Sequence, residues 1–180
     1  IRDRLGEDLE RRAVSEAVIN RLRGGLDSTS AAVLVADESL RIVYLNNAMT
    51  RLFGERQADL RVALPDFDPR VLEGFMIDRF YRQHPEDGAK LGSLAASQVT
   101  WMNMGSRHLR VTASPIFSRG GQRIGTVMEW SDKTMEMGAE REVSAVVQGV
   151  VAGNFDARVS LEGKSGFQEA LSKGINELVG

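Results

Sequence analysis

Between Gln98 and Trp130 the chain alternates apolar and polar residues in three runs, "QVTWMN", "RHLRVTASPIF" and "QRIGTVMEW". Only the turn-forming "MGS" and "SRGGQ" separate them. Strands joined this tightly fold back on one another, so the segment is read as an antiparallel meander. In the middle run Leu109, Val111 and Ala113 share one face, and His108, Arg110 and Thr112 share the other. In the last run Ile124, Thr126, Met128 and Trp130 lie opposite Gly125, Val127 and Glu129. The apolar face of such a sheet must be covered by other elements of the chain.

The cover is sought upstream. Val33 to Ala36 and Ile42 to Leu45 are short β-rich runs around the turn "DESL", which reads as a hairpin. In "NNAMTRLFG" Asn46 or Asn47 serves as N-cap of a short helix and Gly54 as its stop. In "LPDFDPRVLEGFMIDRF" Asp68 as N-cap and Pro69 at the first helical position predict a second helix, with Val71, Leu72, Phe75, Met76 and Phe80 on its core face. Pro85 begins a further helical segment, to about Ser97. Two strands, a helical crossover and three strands make an α+β domain of about 100 residues.

Both flanks are helical. Leu5, Leu9, Val14, Val18, Leu22 and Leu26 form a narrow stripe along residues 1–26, weakened at Gly24 and Gly25 and closed by "DSTS". This helix either pairs with a second copy or packs on its own sheet. After Thr134 the period is again helical, with Val143, Val146, Val147, Val150 and Val151. "AGNFDARVSLEGKSG" interrupts it, and Phe167, Leu171, Ile175 and Leu178 resume it. Each of these helices can bury only one stripe, which a dimeric four-helix bundle would satisfy. The expected divisions are therefore 1–26, 27–134 and 135–180.

Hydrophobic residues at 42% are enough for a buried core, and 25 acidic against 23 basic residues collect no basic face, so no nucleic acid partner is expected. The absence of cysteine excludes disulfides, thiolate metal sites and a cysteine nucleophile. No apolar run approaches the roughly 18 residues that cross a bilayer, so no membrane insertion by this chain and a cytoplasmic location are expected. Without an initiator methionine, and ending within "INELVG", the chain reads as a fragment of something larger. No Ser-His-Asp set, phosphate loop or "HExxH" is recognisable, which points to a binding and signalling module and away from an enzyme.

"VLVADESLRIVYLNNAMTRLFG", "DLRVALPDFDPRVLEGFMIDRF" and "GQRIGTVMEWSDKT" together resemble a PAS domain of the kind found in methyl-accepting chemotaxis proteins, over about residues 27 to 134. The resemblance implies a five-stranded antiparallel sheet with a helical crossover. The tail is similar to a HAMP relay: residues 135–152 as first helix, "GNFDARVSLEGK" as connector and residues 166–179 as second helix. Gly153 would make the turn, with Phe155, Val159 and Leu161 packed into the bundle. It departs from that pattern at "KSGF", where an acidic residue usually opens the second helix. The narrow stripes of the flanking helices point to a parallel homodimer, and the resemblance implies that it passes a ligand- or gas-dependent shift of the last strand to a chemoreceptor signalling bundle and, through it, to a histidine kinase complex. The alternatives are a ligand-free dimerisation and relay module, or the sensor of a histidine kinase or cyclase.

Some members of the resembled subgroup bind haem b through a histidine on the short helix, and a tryptophan on the last strand hydrogen-bonds the bound gas. Trp130 matches that tryptophan by its "EWSDKT" context. The ligand position is different: those members carry histidine directly after the phenylalanine, where this chain has Tyr81 after Phe80. His84, three residues later and close to one helical turn on, is the candidate metal ligand. Its other reading is a solvent-facing loop histidine. A tyrosinate from Tyr81 is the second candidate ligand. Trp130 is read first as a core anchor and second as an anchor that also touches a ligand. His108 is read as a surface residue, and Asp132 and Thr134 as a cap joining the last strand to the exit helix, with or without a signalling role.

Overall fold

The antiparallel hairpins expected from the turn signals assemble into one sheet. The computed structural model describes residues 2–153 and 158–179, with side chains described over 14–153 and 158–177. It divides into two units, Ile1–Ser131 and Asp132–Gly180.

The first unit begins with helix α1 (Arg2–Asp27), which runs through Gly24 and Gly25. Strands β1 (Ala32–Asp37) and β2 (Ile42–Leu45) follow, then helices α2 (Asn47–Glu55) and α3 (Gln57–Ala63). A 3-10 turn (Ile77–Tyr81) leads to α4 (Pro85–Lys90) and a second 3-10 turn (Leu91–Ser93). Strands β3 (Gln98–Met104), β4 (Arg107–Phe117) and β5 (Arg123–Asp132) complete the sheet, in the order β2-β1-β5-β4-β3. This is the five-stranded α+β arrangement the sequence predicts.

The period-2 patterns place their residues as read. Leu109, Val111 and Ala113 of β4 and Thr126, Met128 and Trp130 of β5 are buried, whereas Ile124, at the hairpin end, is exposed. Trp130 stands opposite Ala32 in the β1–β5 ladder, and Met128 opposite Leu34, so the largest side chain meets the smallest neighbour. At Gly125 a Cβ would strike the Ala36 carbonyl, which keeps that position bare.

The joint between α1, β1 and α2 is built on Asn46, the N-cap of α2. Its Oδ1 accepts from Val33 N (3.0 Å) and Met49 N (2.9 Å), and its Nδ2 donates to Leu26 O (2.9 Å) and Ala31 O (2.8 Å). Beside it Tyr44 donates to Asp27 Oδ1 (2.8 Å), and partial burial together with that carboxylate pushes the phenol up to about 12. Only the C-terminal end of α1 is fixed this way. Val14, Val18 and Leu22 are exposed, contrary to the reading in which the stripe packs on its own sheet. The side chains of Leu5 and Leu9 lie outside the described residues.

The crossover corrects three expectations. No helix forms over 69–76: Asp68 Oδ1 accepts from Arg70 N, Gly74 takes φ +79, and the Gly74 and Phe75 backbone groups bond Ile42 of β2 instead of their own turn. Val71 is consequently 72% exposed, while Leu72 and Phe80 do join the core. The segment after Pro85 is α-helical only to Lys90. Helix α3, not expected from the sequence, forms over "QADLRVA" and buries Leu60.

In the second unit α5 (Thr134–Val151) and α6 (Gly166–Val179) are separated by a connector in which Gly153 takes φ +87. Val159 is buried and Asn176 brackets its backbone, accepting from its N–H (2.7 Å) and donating to its carbonyl (2.9 Å). Glu142 accepts from Lys164 Nζ (2.6 Å) and from Ser160 N. Leu161, expected in the bundle, is exposed in the single chain. Phe155 and the Leu178 side chain lie outside the described residues. Glu169, in the first turn of α6, accepts from Lys173 Nζ (2.6 Å).

Candidate functional site

Trp130 reaches its place because β5 alternates and its inward face ends there. The indole is packed edge-on by Phe53 of α2 (centroids 5.2 Å, 87°) and Phe80 of the first 3-10 turn (5.1 Å, 76°). Phe53 and Phe80 stack on each other at 5.4 Å, and Phe67 closes the group. Each such aromatic pair adds roughly 0.5–1.5 kcal/mol beyond area burial. The anchor reading of Trp130 thus has a full set of partners.

The indole N–H does not. Trp130 is 2% exposed, and its Nε1 is shielded from solvent and has no acceptor. A buried donor left unpaired costs on the order of 1–3 kcal/mol, so this atom is the chemical irregularity of the aromatic cluster. Trp130 also lines a hollow of about 10 Å³ whose wall includes Arg56, Asp59, Met104 and Arg107. Gly105, with φ +60, makes that wall possible, since a Cβ there would lie 2.7 Å from Asp59 Oδ1. Asp59 in turn faces Arg107 Nε at 3.8 Å.

Tyr81 sits next to Phe80 but belongs to a different contact set. It is 1% exposed, packs against Gly88 and hydrogen-bonds Thr100, and burial pushes its phenol well above the ordinary tyrosine value. A tyrosinate ligand is opposed by that shift. His84 occupies the N-cap position of α4 with its side chain half-buried, and its carbonyl accepts from Asp87 N and Gly88 N. It lines a second hollow of about 10 Å³ with Phe80, Met102 and Met104. Met104 is therefore the wall shared by the His84 and Trp130 hollows.

Haem b needs more room than this arrangement leaves. Pockets for cofactor-sized ligands run from about 300 Å³ upward, and the two hollows flanking Met104 are far below that. Phe53, Phe67 and Phe80 fill the space between sheet and crossover. The residues as placed do not fit a porphyrin. Among the described residues no group of three His, Cys, Asp or Glu could hold a metal ion. His108 keeps to the solvent side of β4, its Nδ1 2.6 Å from Asn103 Oδ1. Asp132 Oδ1 accepts from Thr134 N (3.0 Å) and the Thr134 hydroxyl (2.6 Å), joining β5 to the first residue of α5, but the N-cap position falls on Lys133 and not on Asp132 as expected.

Arg56, Asp59 and Arg107 were not singled out in the sequence. Their one local signal is the glycine of "MGS" just before Arg107. The return of α3 to the β3–β4 turn is a long-range fact that periodicity does not carry.

Residues 20–84 match the family profile described as "PAS domain". The chain carries a PAS domain. The match spans α1's end through His84, and β3 to β5 complete the same fold. The chain is 37% identical over 159 residues to the methyl-accepting chemotaxis protein McpB of Pseudomonas aeruginosa. That similarity covers 88% of this chain, more residues than the first unit holds, and thus runs past Ser131. The chain spans only 23% of that receptor's length. Among solved structures, the Aer2 receptor from Vibrio cholerae, described as a dual PAS-heme oxygen sensor, is 25% identical. That match covers 57% of this chain and 93% of that one, at a TM-score of 0.49. The PAS domain of BvgS from Bordetella pertussis is 16% identical over 74% of this chain and 98% of its own, at a TM-score of 0.47. Within the described residues no helix is long and apolar enough to cross a membrane.

Proposed function

We propose that this chain is a cytoplasmic sensory and relay segment of a bacterial chemoreceptor, in which the PAS domain senses a ligand at Trp130 and passes the change to a HAMP-like helix-connector-helix. The observation that carries the reading is the unpaired Trp130 N–H, held in an aromatic cage two residues before Asp132. An acceptor bound there would remove the desolvation cost of that donor and shift the balance between two positions of β5. Asp132 closes β5 and accepts from the backbone N–H of Thr134, the first residue of α5, so a shift of the strand alters the helix start. The similarity to McpB across the junction supports placing both units in one receptor.

A parallel homodimer is part of the reading. The exposed Val14, Val18 and Leu22 of α1, and Phe167 and Leu171 of α6, are apolar surfaces that a second copy would cover. Output then runs through the receptor's signalling bundle to a histidine kinase complex. The competing reading, a ligand-free relay, rests on the side chains that fill the cage.

Haem sensing would require the cage to open around Met104, with His84 as donor. The visible spectrum before and after haemin addition tests this: a Soret band lost in His84→Ala supports haem, and no band under either condition removes it. The relay is tested by hydrogen exchange over Met135–Arg141 in wild type and Trp130→Leu. Altered protection there is expected; a change confined to β5 and its neighbours would overturn the relay.

A further inference from the structure

The outer face of the sheet breaks the apolar-in, polar-out rule of an antiparallel sheet with one side in water. Leu34, Met102, Val111 and Met128 are buried on the inner face. The residues that alternate with them point outward, and they include Val35 of β1, Val127 of β5, and Val99 and Trp101 of β3. Val35 stands directly opposite Val127, and Trp101 directly opposite Arg110 of β4. Trp101 is 50% exposed and Val99 44%. Tryptophan is enriched at the centre of protein interfaces, where its large area is desolvated. Helix α1 of the same unit does not supply the cover, since its own Val14, Val18 and Leu22 are exposed.

The charges on this face decide what covers it. Glu129 of β5 and Arg110 of the neighbouring β4 both point outward and are exposed. Neither side chain has a hydrogen-bond or ion-pair partner among the described residues. One free negative and one free positive charge on the same face make it self-complementary, as a contact between two identical copies requires. A two-fold axis through the face brings Glu129 of each copy to the partner's Arg110.

We propose that a second copy of this chain docks on this face, sheet against sheet. The inference rests on the homodimer of the proposed function and names the surface through which its PAS domains meet. Val35, Val127, Val99 and Trp101 form the dry centre, at the spacing of about 10 Å that packed sheets adopt. Glu129 and the partner's Arg110 set the alignment. Strand β5 carries Trp130 on its inner side and Val127 and Glu129 on its outer side, so a shift of β5 that begins at Trp130 also moves the interface. Ligand binding inside the domain and association outside it are thereby linked.

The test uses the whole chain and sedimentation at low ionic strength. Glu129→Arg and Arg110→Glu each turn both cross-copy attractions into repulsions, and each alone should weaken self-association about tenfold or more. Mixed in equal amounts, the two variants should associate with each other, because opposite charges then meet at both positions. Both side chains are exposed and unpartnered within the chain, so each variant should keep the fold, read by its melting temperature. In wild type, iodide quenching of tryptophan emission reports Trp101, since Trp130 is 2% exposed, and it should fall as the chain is concentrated through dimerisation. Single variants that associate like wild type, or a mixture no tighter than either variant alone, overturn the proposal. A wild-type dimer whose Trp101 stays open to iodide overturns it too, and leaves the homodimer to the stripes of α1 and α6. A chain that stays monomeric at every concentration removes both the interface and the homodimer.

Discussion

The two units hold their structure by different means. In the PAS domain, side chains from every strand and from the crossover meet in one continuous core, with Phe53, Phe67, Leu34 and Met128 out of reach of water. In the second unit Val146 and Val159 are the buried aliphatics among the described residues, and Phe167 is 80% exposed. Polar clasps from Asn176 and Glu142 fix the connector there in place of a core. A unit with its own core keeps one shape whatever surrounds it, while a unit held by a few hydrogen bonds can change shape at low cost. That division is consistent with the proposed sensor and relay roles of the two units.

The comparison breaks most visibly at Phe53. Phe53→Ala removes a ring that contacts Phe67, Phe80 and Trp130, and should cost about 3–5 kcal/mol, read as a lower melting midpoint by tryptophan fluorescence. Phe167→Ala, on the exposed face of α6, should leave the monomer's midpoint within about 0.5 kcal/mol and instead weaken self-association measured by sedimentation. A large loss of monomer stability in Phe167→Ala would show that the second unit has a core of its own.

Next in size is the joint at Asn46. Asn46→Ala strands donors and acceptors of Val33, Met49, Leu26 and Ala31 together, an expected loss of roughly 2–4 kcal/mol by chemical denaturation. Asn46→Asp keeps the acceptor side toward Val33 and Met49 and loses the donors toward the end of α1. It should therefore loosen α1, by hydrogen exchange at Leu26 to Ser28, more than the start of α2.

How much of this was legible follows the range of each interaction. The strands were readable because alternation and turn residues are local, and Trp130 was placed at the end of an inward face by counting in twos. The segment 69–76 misled because Asp68 and Pro69 are good helix starters, while the bonds that claim its backbone come from Ile42, some thirty residues earlier. The aromatic cage was partly legible, as Phe80 and Trp130 were both assigned to the core. Its wall of Arg56, Asp59 and Arg107 was not, because charged residues at helix and strand ends look alike whether they face water or a hollow. His84 was placed correctly at a helix start, but no pattern of spacing could show that Met104 stands between it and the Trp130 hollow.

In the second unit the clasps should set stability in proportion to their burial. Asn176→Ala removes two bonds to the Val159 backbone and should cost about 1–2 kcal/mol, seen as faster exchange at the Val159 amide.

The smallest effect concerns Glu142, whose carboxyl is held below the usual glutamate range, first by the Lys164 ammonium that donates to it and then by the Ser160 amide. Its folded value lies below its unfolded one, so the stabilisation is complete above the ordinary glutamate pKa and fades as pH falls through the lowered value. Exchange at the Ser160 amide should therefore be slow at pH 7 relative to its intrinsic rate and lose protection as pH drops below about 4.5. In Glu142→Gln the low protection should persist across the same range, while the PAS core amides of β1 and β5 in both proteins keep theirs. Equal acid loss in the two proteins would mean that another carboxylate holds the connector, and the difference between the units would then not rest on this clasp.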